Sequence, residues 1–209
     1  MKLQPLWRFL RQPGTRRAER ALWQGATSVE RLGELGAQWL DGTIRTQIGV
    51  VGPYTTPSPS TWTLLPLLAA LNRAGFYTTS AQPGSDHVRD GVRWSTKAAV
   101  EGFLAPSFDL PQLYAAIVSS GLDMRITNAR EATNGLTSDG IVVTERDGQP
   151  WTRFGRSLTD ANIRQLWDGF PRAVTALSQC MQVTVAEAQF GPSNRLWELL
   201  TPMTARVAR

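Results

Sequence analysis

The amino-acid sequence predicts an α+β fold built around a ferredoxin-like βαββαβ sheet layer. Segments with apolar residues at helical spacing alternate with short segments in which apolar and polar residues alternate. The central segments follow the order strand, helix, strand, strand, helix, strand, which predicts a sheet with two helices on one face. We expect a hairpin after this layer and flanking helices at both ends of the chain.

The first predicted helix covers residues 27–41, with a Ser/Thr cap and apolar residues on one face. Thr43–Val51 alternates loosely and is predicted as a strand, and prolines mark residues 52–60 as a loop. A second helix is expected to begin near Thr63 and to end at Gly75, a residue type that often follows a helix.

Two strands are predicted in the middle of the chain. Phe76–Ser80 is a short strand that Pro83-Gly84 terminates, and residues 84–91 are predicted to be a polar loop. Arg93–Leu104 is predicted as one strand that bends near Ala98-Ala99. This pair would supply the two adjacent strands of the βαββαβ order.

The second βα unit of the layer has clear boundary signals. Asp109, with Gln112 three residues later, has the spacing of a capping box, and Gly121 closes the helix. Leu122–Thr127 then alternates strictly between apolar and polar residues, as in a half-buried strand. Residues 128–140 are predicted to be a loop.

A hairpin and a helical region complete the predicted fold. Ile141–Arg146 and Gln149–Phe154 flank Asp147-Gly148, a strong hairpin signal, and Pro150 places the second strand at a sheet edge. The last third is expected to be mainly helical, with apolar residues at helical spacing in three segments: Ile163–Phe170, Ala173–Met181 and Leu196–Leu200.

Length and composition indicate one domain, residues 21–209, behind a basic leader, residues 1–20. The chain has 209 residues, of which 42% are hydrophobic, and eight are tryptophans. Its longest apolar run, Leu64–Leu71, contains Pro66 and is far shorter than the about 20 residues of a transmembrane helix. The single cysteine, Cys180, excludes an intramolecular disulfide and favours a reducing, cytoplasmic setting.

The leader carries the whole net charge of +5, since it holds six cationic side chains and one carboxylate. The remaining residues sum to zero. A nucleic-acid-binding domain should itself carry a basic face. We therefore expect nucleic-acid binding to be weak and to depend on the leader.

The residue counts exclude several classes of chemistry. One histidine and one cysteine cannot supply the sets of three or four cysteine and histidine ligands that hold zinc, so no metal is predicted. The chain has no Walker loop, no strand-linked G-x-G-x-x-G and no G-x-S-x-G, and no cofactor is predicted. A serine–histidine–aspartate triad would have to use His87, which lies in a polar segment with few packed neighbours to hold it.

Hydroxyl and amide side chains gather where the strand Phe76–Ser80 ends. Thr78, Thr79, Ser80 and Gln82 offer neutral donors and acceptors, which suit a small polar ligand or a phosphate at a strand–loop junction. The same residue types also end strands and form turns without a ligand. The sequence leaves both interpretations open.

Charged residues on the following strand would complete such a site. Arg93, Lys97 and Glu101 are spaced by four residues and would share one face of an unbroken strand. A Lys97–Glu101 pair would bind an anion or act as acid and base, unless it is a surface ion pair. Asn128 and Arg130 follow another strand end and either converge on the same edge or belong to an ordinary polar loop.

Three functions are compatible with these features. The first is a module that binds a small polar, anionic or nucleotide-like ligand at strand ends. The second is an interaction protein of a mobile element or regulatory system that acts through the basic leader and an aromatic surface. The third is an enzyme with Glu101 or Glu131 as general base. A pocket containing Thr79, Gln82 and a charge would favour the first, and a flat exposed aromatic patch beside an arginine-rich helix would favour the second.

Four blocks of sequence carry a resemblance to a known family: Leu35–Gly42, Leu67–Phe76, Thr78–Gly84 and Ala98–Phe103. Over roughly residues 20–160 the chain resembles a domain-of-unknown-function family of actinobacteria, common in streptomycetes. The resemblance implies a host type and no established activity. A weaker similarity links it to phage and bacterial proteins with Leu-Asn, Gly-aromatic-Thr and Ser-Cys-x-Gly-His. This chain has Ser80-Ala81-Gln82-Pro83-Gly84 there, so no metal or thiol chemistry is carried over.

Overall fold

The computed structural model describes residues 13–49 and 57–208, and the α+β class predicted from the sequence is confirmed. The α-helices of this part of the chain are α1 (Pro13–Gln24), α2 (Val29–Leu40), α3 (Leu65–Arg73), α4 (Leu110–Ser120), α5 (Ala129–Thr133), α6 (Asp160–Leu166), α7 (Pro171–Ser178) and α8 (Arg195–Leu200). Short 3-10 helices, Pro59–Leu64 and Thr201–Ala208, precede α3 and follow α8. None of these helices is long and apolar enough to cross a membrane.

The strands of the described residues form two antiparallel sheets. They are β1 (Phe76–Gln82), β2 (Ser85–Arg89), β3 (Val92–Thr96), β4 (Ala99–Leu104), β5 (Asp123–Asn128), β6 (Asp139–Arg146), β7 (Gln149–Arg156) and β8 (Met181–Ala186). The first sheet has the order β1-β4-β8-β5, and the second has the order β2-β3-β6-β7. Helix α4 connects β4 to β5, two parallel strands that antiparallel β8 separates.

The second sheet packs on the first at one end and projects at the other. Ile141, Val143 and Phe154 of β6 and β7 lie against Ala99 and Ala186 of the first sheet. The strands β2 and β3 and the tip of the β6–β7 hairpin lie beyond this contact, and most of their side chains are exposed. The fold therefore consists of a first sheet whose inner strands β4 and β8 are buried and a second sheet that is covered at its base only.

Asn72, at the end of α3, links three elements through one buried amide. Its Nδ2 donates to the Leu68 carbonyl (2.7 Å) and to the Thr78 hydroxyl (2.6 Å), and its Oδ1 accepts from the Thr78 N–H (3.2 Å). Helix α2 reaches this point through two glycines: a Cβ at Gly33 would lie 2.3 Å from the Asn72 carbonyl oxygen, and one at Gly36 would lie 2.7 Å from Oδ1. Any side chain there would push α2 away from α3.

The predictions with local signals are confirmed. The Asp109 carboxylate accepts from the Gln112 N–H (2.9 Å) at the start of α4, and Gly121 ends this helix with φ +69°. Asp147 and Gly148 form the β6–β7 turn with φ +48° and +74°, as a type I′ turn requires. Pro150 lies on β7, which is an edge strand.

The predicted strand Thr43–Val51 is wrong for the residues that the structure describes, 43–49. The backbone here binds side chains of α1 instead of a neighbouring strand. The buried Glu19 carboxylate accepts from the Arg45 N–H (3.1 Å) and the Thr46 hydroxyl (2.8 Å), and the Trp23 indole donates to the Thr46 carbonyl (2.9 Å). The predicted order of elements therefore lacks its first strand in this part of the chain.

The polar segment 84–91 is part of a hairpin and not a loop. Strands β2 and β3 pair around Asp90 and Gly91, whose φ values of +53° and +76° again fit a type I′ turn. The predicted single strand Arg93–Leu104 is two strands in different sheets, and Lys97 lies between them with its N–H bound to the Val143 carbonyl (2.8 Å). Because both faces of β2 are largely exposed, apolar alternation could not reveal it.

The prediction of helix through Met181 is also wrong. Helix α7 ends at Ser178, and Met181–Ala186 is β8, an inner strand of the first sheet. Val183 and Val185 are fully buried there. Gln182 and Thr184 alternate with Val183 and Val185, but the helical spacing of Ala173–Met181 extends to the first residue of β8 and hid this short strand pattern.

Most of the predicted leader lies outside the described residues, which begin at Pro13. Helix α1 runs across the predicted boundary at residue 20. Glu19 is buried, and the Arg20 guanidinium lies 5.0 Å from the Phe170 ring centroid. The last residues assigned to the leader therefore contact the folded domain.

Replacing Asn72 by alanine should destabilise the protein by about 1–3 kcal/mol, because the buried Thr78 N–H and hydroxyl would lose their partner. The free energy of unfolding, measured by urea titration, tests this. Asn134→Ala, which removes an exposed amide after α5, is the matched control and should change stability by less than about 0.5 kcal/mol. Equal stability of the two variants would contradict the role assigned to Asn72.

Candidate functional site

Two of the predicted site residues hold the fold together. The Thr78 side chain is buried and bonded to Asn72, as described above. The Gln82 amide links the two sheets: its Nε2 donates to the carbonyls of Lys97 (3.0 Å) and Val143 (2.8 Å), and its Oε1 accepts from the Thr144 hydroxyl (3.4 Å). The Thr78 hydroxyl and the Gln82 amide are therefore already hydrogen-bonded within the protein.

Three other predicted residues lie in different parts of the fold. Arg93 is on β3 in the second sheet, where its Nε donates to the Asp86 carboxylate (3.0 Å). Asn128 caps α5 by accepting from the Glu131 N–H (2.8 Å), and Arg130 is exposed on the same helix. Strand β5 leads into α5 and forms the edge of the first sheet opposite β1, so Asn128 and Arg130 do not join the Thr78–Gln82 segment.

Lys97 pairs with a carboxylate other than Glu101. Its side chain is largely buried, its Nζ lies 3.4 Å from the Asp123 carboxylate, and the same Nζ lies 5.1 Å from the Phe190 ring centroid. Lys97, which we expected beside Glu101, therefore forms its ion pair with Asp123.

The structure brings Thr79 and Ser80 together with Glu101 and adds Gly155 and Thr184; these five residues are the Glu101 cluster. A bulge at Thr79 shifts the register, so that Ser80 lies opposite Glu101. The Thr79 hydroxyl donates to the Glu101 carbonyl (3.3 Å). The Glu101 Oε2 accepts from the Gly155 N–H (2.7 Å) and the Thr184 hydroxyl (3.5 Å).

Gly155 lets β7 approach the first sheet at this point. Its φ of +76° is favourable for glycine, and a Cβ there would lie 2.9 Å from the Thr184 Oγ1. The close approach brings the backbone N–H of β7 to the carboxylate on β4. The Glu101 cluster is therefore built by both sheets, with side chains from one and a backbone donor from the other.

Burial raises the pKa of Glu101, and the hydrogen bonds from Gly155, Ser80 and Thr184 offset this only in part. Within residues 13–49 and 57–208, no lysine, arginine or histidine forms an ion pair with Glu101. The carboxyl group therefore holds its proton more strongly than an ordinary glutamate.

Sequence reasoning missed a second constellation, on the projecting part of the second sheet. Cross-strand pairing places His87, Trp94, Arg146 and Gln149 in one row across all four strands. With Arg89 and Trp151, they form the tryptophan–arginine face. The Arg146 guanidinium lies 5.6 Å and 5.5 Å from the ring centroids of Trp94 and Trp151, and the two rings meet edge to face at 5.6 Å.

A turn signal could have revealed this face. Asp90-Gly91 has the same residue types as Asp147-Gly148, which did predict a hairpin. A hairpin at Asp90-Gly91 pairs His87 with Trp94 directly. The pairing of β3 with β6, which adds Arg146, joins residues far apart in sequence and has no local signal.

A family described as a domain of unknown function, DUF6919, matches residues 18–206 of the chain. The chain belongs to this family. No curated protein matches it. The match begins within α1 and includes every strand of both sheets, so the DUF6919 domain contains both the Glu101 cluster and the tryptophan–arginine face.

The raised pKa of Glu101 predicts a pH dependence for the stability of the DUF6919 domain. The native state binds this proton more tightly than the unfolded state does. The contribution of Glu101 to the free energy of unfolding is therefore fully present below the ordinary glutamate pKa of 4.5. It is lost as the pH rises through the raised pKa. Glu101→Gln removes this titration, so its stability relative to the wild type should increase as the pH rises from about 4 to about 8.

Urea titrations of both proteins across this pH range measure the difference. The exposed Glu131→Gln, on α5, is the control and should follow the wild type at every pH. A difference between Glu101→Gln and wild type that stays constant with pH would show that the Glu101 pKa is not raised.

Proposed function

We propose that the protein is a binding module that takes a small polar ligand at the Glu101 cluster. The observation that carries the proposal is a carboxyl group between two sheets that is hydrogen-bonded by neutral groups: the Gly155 N–H and the hydroxyls of Ser80 and Thr184. Burying a carboxyl group without a cation costs stability, and such costs are concentrated at functional sites.

The surroundings of Glu101 favour a neutral or cationic ligand over an anion. Lys97 and Arg93, the cations expected beside it, pair with Asp123 and Asp86. A phosphate would meet a carboxylate without a neighbouring cation to offset the repulsion. A ligand with hydroxyl or amino groups would instead donate to the carboxylate and to the free lone pairs of the Thr79 and Ser80 hydroxyls, whose protons are directed at Glu101.

A second candidate is an enzyme with Glu101 as its general acid–base, which the raised pKa favours. Proton transfer is most efficient when the pKa of the group lies near the operating pH. Glu131, the other carboxylate considered, is exposed on α5. Of the two carboxylates, Glu101 is therefore the one whose surroundings suit this chemistry.

The setting that we propose for this function is the cytoplasm of an actinobacterium. The single cysteine supports a reducing compartment. Arginine outnumbers lysine by 20 to 2, which is typical of a GC-rich genome. Both statements rest on the sequence.

A thermal-shift screen with nucleosides, sugars and small amines tests the proposed ligand site. A ligand at about 100 times its Kd stabilises the native state by about 2.7 kcal/mol, which raises the Tm of a domain of this size by roughly 5–10 °C. Glu101→Gln should weaken binding about tenfold or more, because it removes a charge-assisted hydrogen bond. Ser80→Ala should weaken it less, and Glu131→Gln should leave it unchanged. Equal shifts in wild type, Glu101→Gln and Ser80→Ala would contradict the site.

A further inference from the structure

The two faces of the projecting part of the second sheet differ in charge. Asp86 and Glu145 alternate with residues of the tryptophan–arginine face and therefore lie on the opposite face, where Asp86 pairs with Arg93. Among the described residues, no carboxylate occupies a strand position on the tryptophan–arginine face itself. Its cations are Arg89, which also lies 3.6 Å from Asp90 in the turn, and Arg146.

The indole rings on this face are available to a partner. Trp151 is 58% exposed, and Trp94 is half-buried beside it. Trp151 is the unpaired residue of a β-bulge, since Thr152 pairs with Thr144 and Pro150 pairs with Glu145. Trp151 follows Gln149 by two residues and so lies on the same face, beside Arg146 and Trp94, and most of its surface is left open.

The shape of the sheet suits a single strand better than a duplex. Four strands spaced by about 4.8 Å are about 14 Å wide before side chains are added, which exceeds the about 12 Å width of the DNA major groove. Bases of a single strand, in contrast, can unstack and lie on aromatic rings of an open sheet.

We propose that the tryptophan–arginine face binds single-stranded nucleic acid, with bases stacked on Trp151 and Trp94 and phosphates held by Arg146 and Arg89. This goes beyond the proposed ligand function, because neither the residues nor the ligand are those of the Glu101 cluster. It also departs from the expectation that nucleic-acid binding depends on the leader, because cross-strand pairing gathers two arginines on one face of a domain whose net charge is zero. The charge of the face favours a phosphate backbone, because its strand positions hold the cations Arg89 and Arg146 and, among the described residues, no carboxylate.

Fluorescence anisotropy of the full chain with a labelled oligothymidylate of about 16 nucleotides tests the proposal. Trp151→Ala should weaken binding roughly five- to 150-fold, the effect of removing one stacked base. Trp151→Phe should retain most of the affinity. Tyr114→Ala, which removes an aromatic ring that is 56% exposed on α4, is the matched control and should bind like the wild type.

The salt dependence of the affinity distinguishes phosphate contacts of this face from those of the basic leader, because every variant retains the leader. Arg146→Met should lower the slope of log affinity against log salt by about 0.7, the value for one phosphate contact of a single strand. Equal affinity of Trp151→Ala and Tyr114→Ala would overturn the proposal, because binding would then not involve the face. Equal binding of a duplex of the same length would overturn the preference for single strands.

Two further outcomes are informative. A protein partner whose binding Trp151→Ala abolishes, while oligothymidylate binding is unchanged, would reassign the face to protein recognition and overturn the proposal. Glu101→Gln should bind the oligonucleotide like the wild type. The two proposals therefore fail independently of each other. Unchanged circular dichroism and Tm of Trp151→Ala would show that a loss of binding is not a loss of folding.

Discussion

The buried amide of Asn72 is the interaction on which the arrangement of the first half of the fold depends. One side chain satisfies backbone and hydroxyl groups of α3 and β1, while Gly36 of α2 packs against this amide and Gly33 packs against the Asn72 backbone. The position of β1 is set relative to both helices at this point. Because β1 pairs with β4, and β4 carries Glu101, the geometry of the candidate site follows from the same junction.

Structure that depends on neighbours in sequence could be predicted from the sequence. The Asp109 cap, the Gly121 helix end and the Asp147-Gly148 turn each rest on contacts within a few residues. The errors arise where distant residues decide the outcome. Residues 43–49 bind the side chains of Glu19 and Trp23, and β8 is a strand because it lies between β4 and β5.

In the candidate site, too, contacts between neighbouring elements could be predicted, and contacts with distant elements could not. Residue spacing could suggest that hydroxyls near Ser80 face one of Arg93, Lys97 or Glu101, and the bulge at Thr79 decides that Ser80 lies opposite Glu101. Two of the groups that hydrogen-bond the Glu101 carboxyl come from β7 and β8, and nothing local to Glu101 indicates them. Gln82 and Lys97 were expected to contact a ligand. Their side chains instead bind groups in other elements, and these contacts hold the sheets together.

The second sheet is covered only at its base, and this has a consequence for its motion. The projecting strands β2 and β3 have few buried side chains to oppose local opening, whereas the inner strands β4 and β8 are buried in the core. Backbone amides of the projecting hairpins should therefore exchange with solvent through small, local fluctuations, and those of β4 and β8 only when the whole domain unfolds. The outer half of the sheet can thus adjust to whatever it contacts while the Glu101 cluster keeps its geometry.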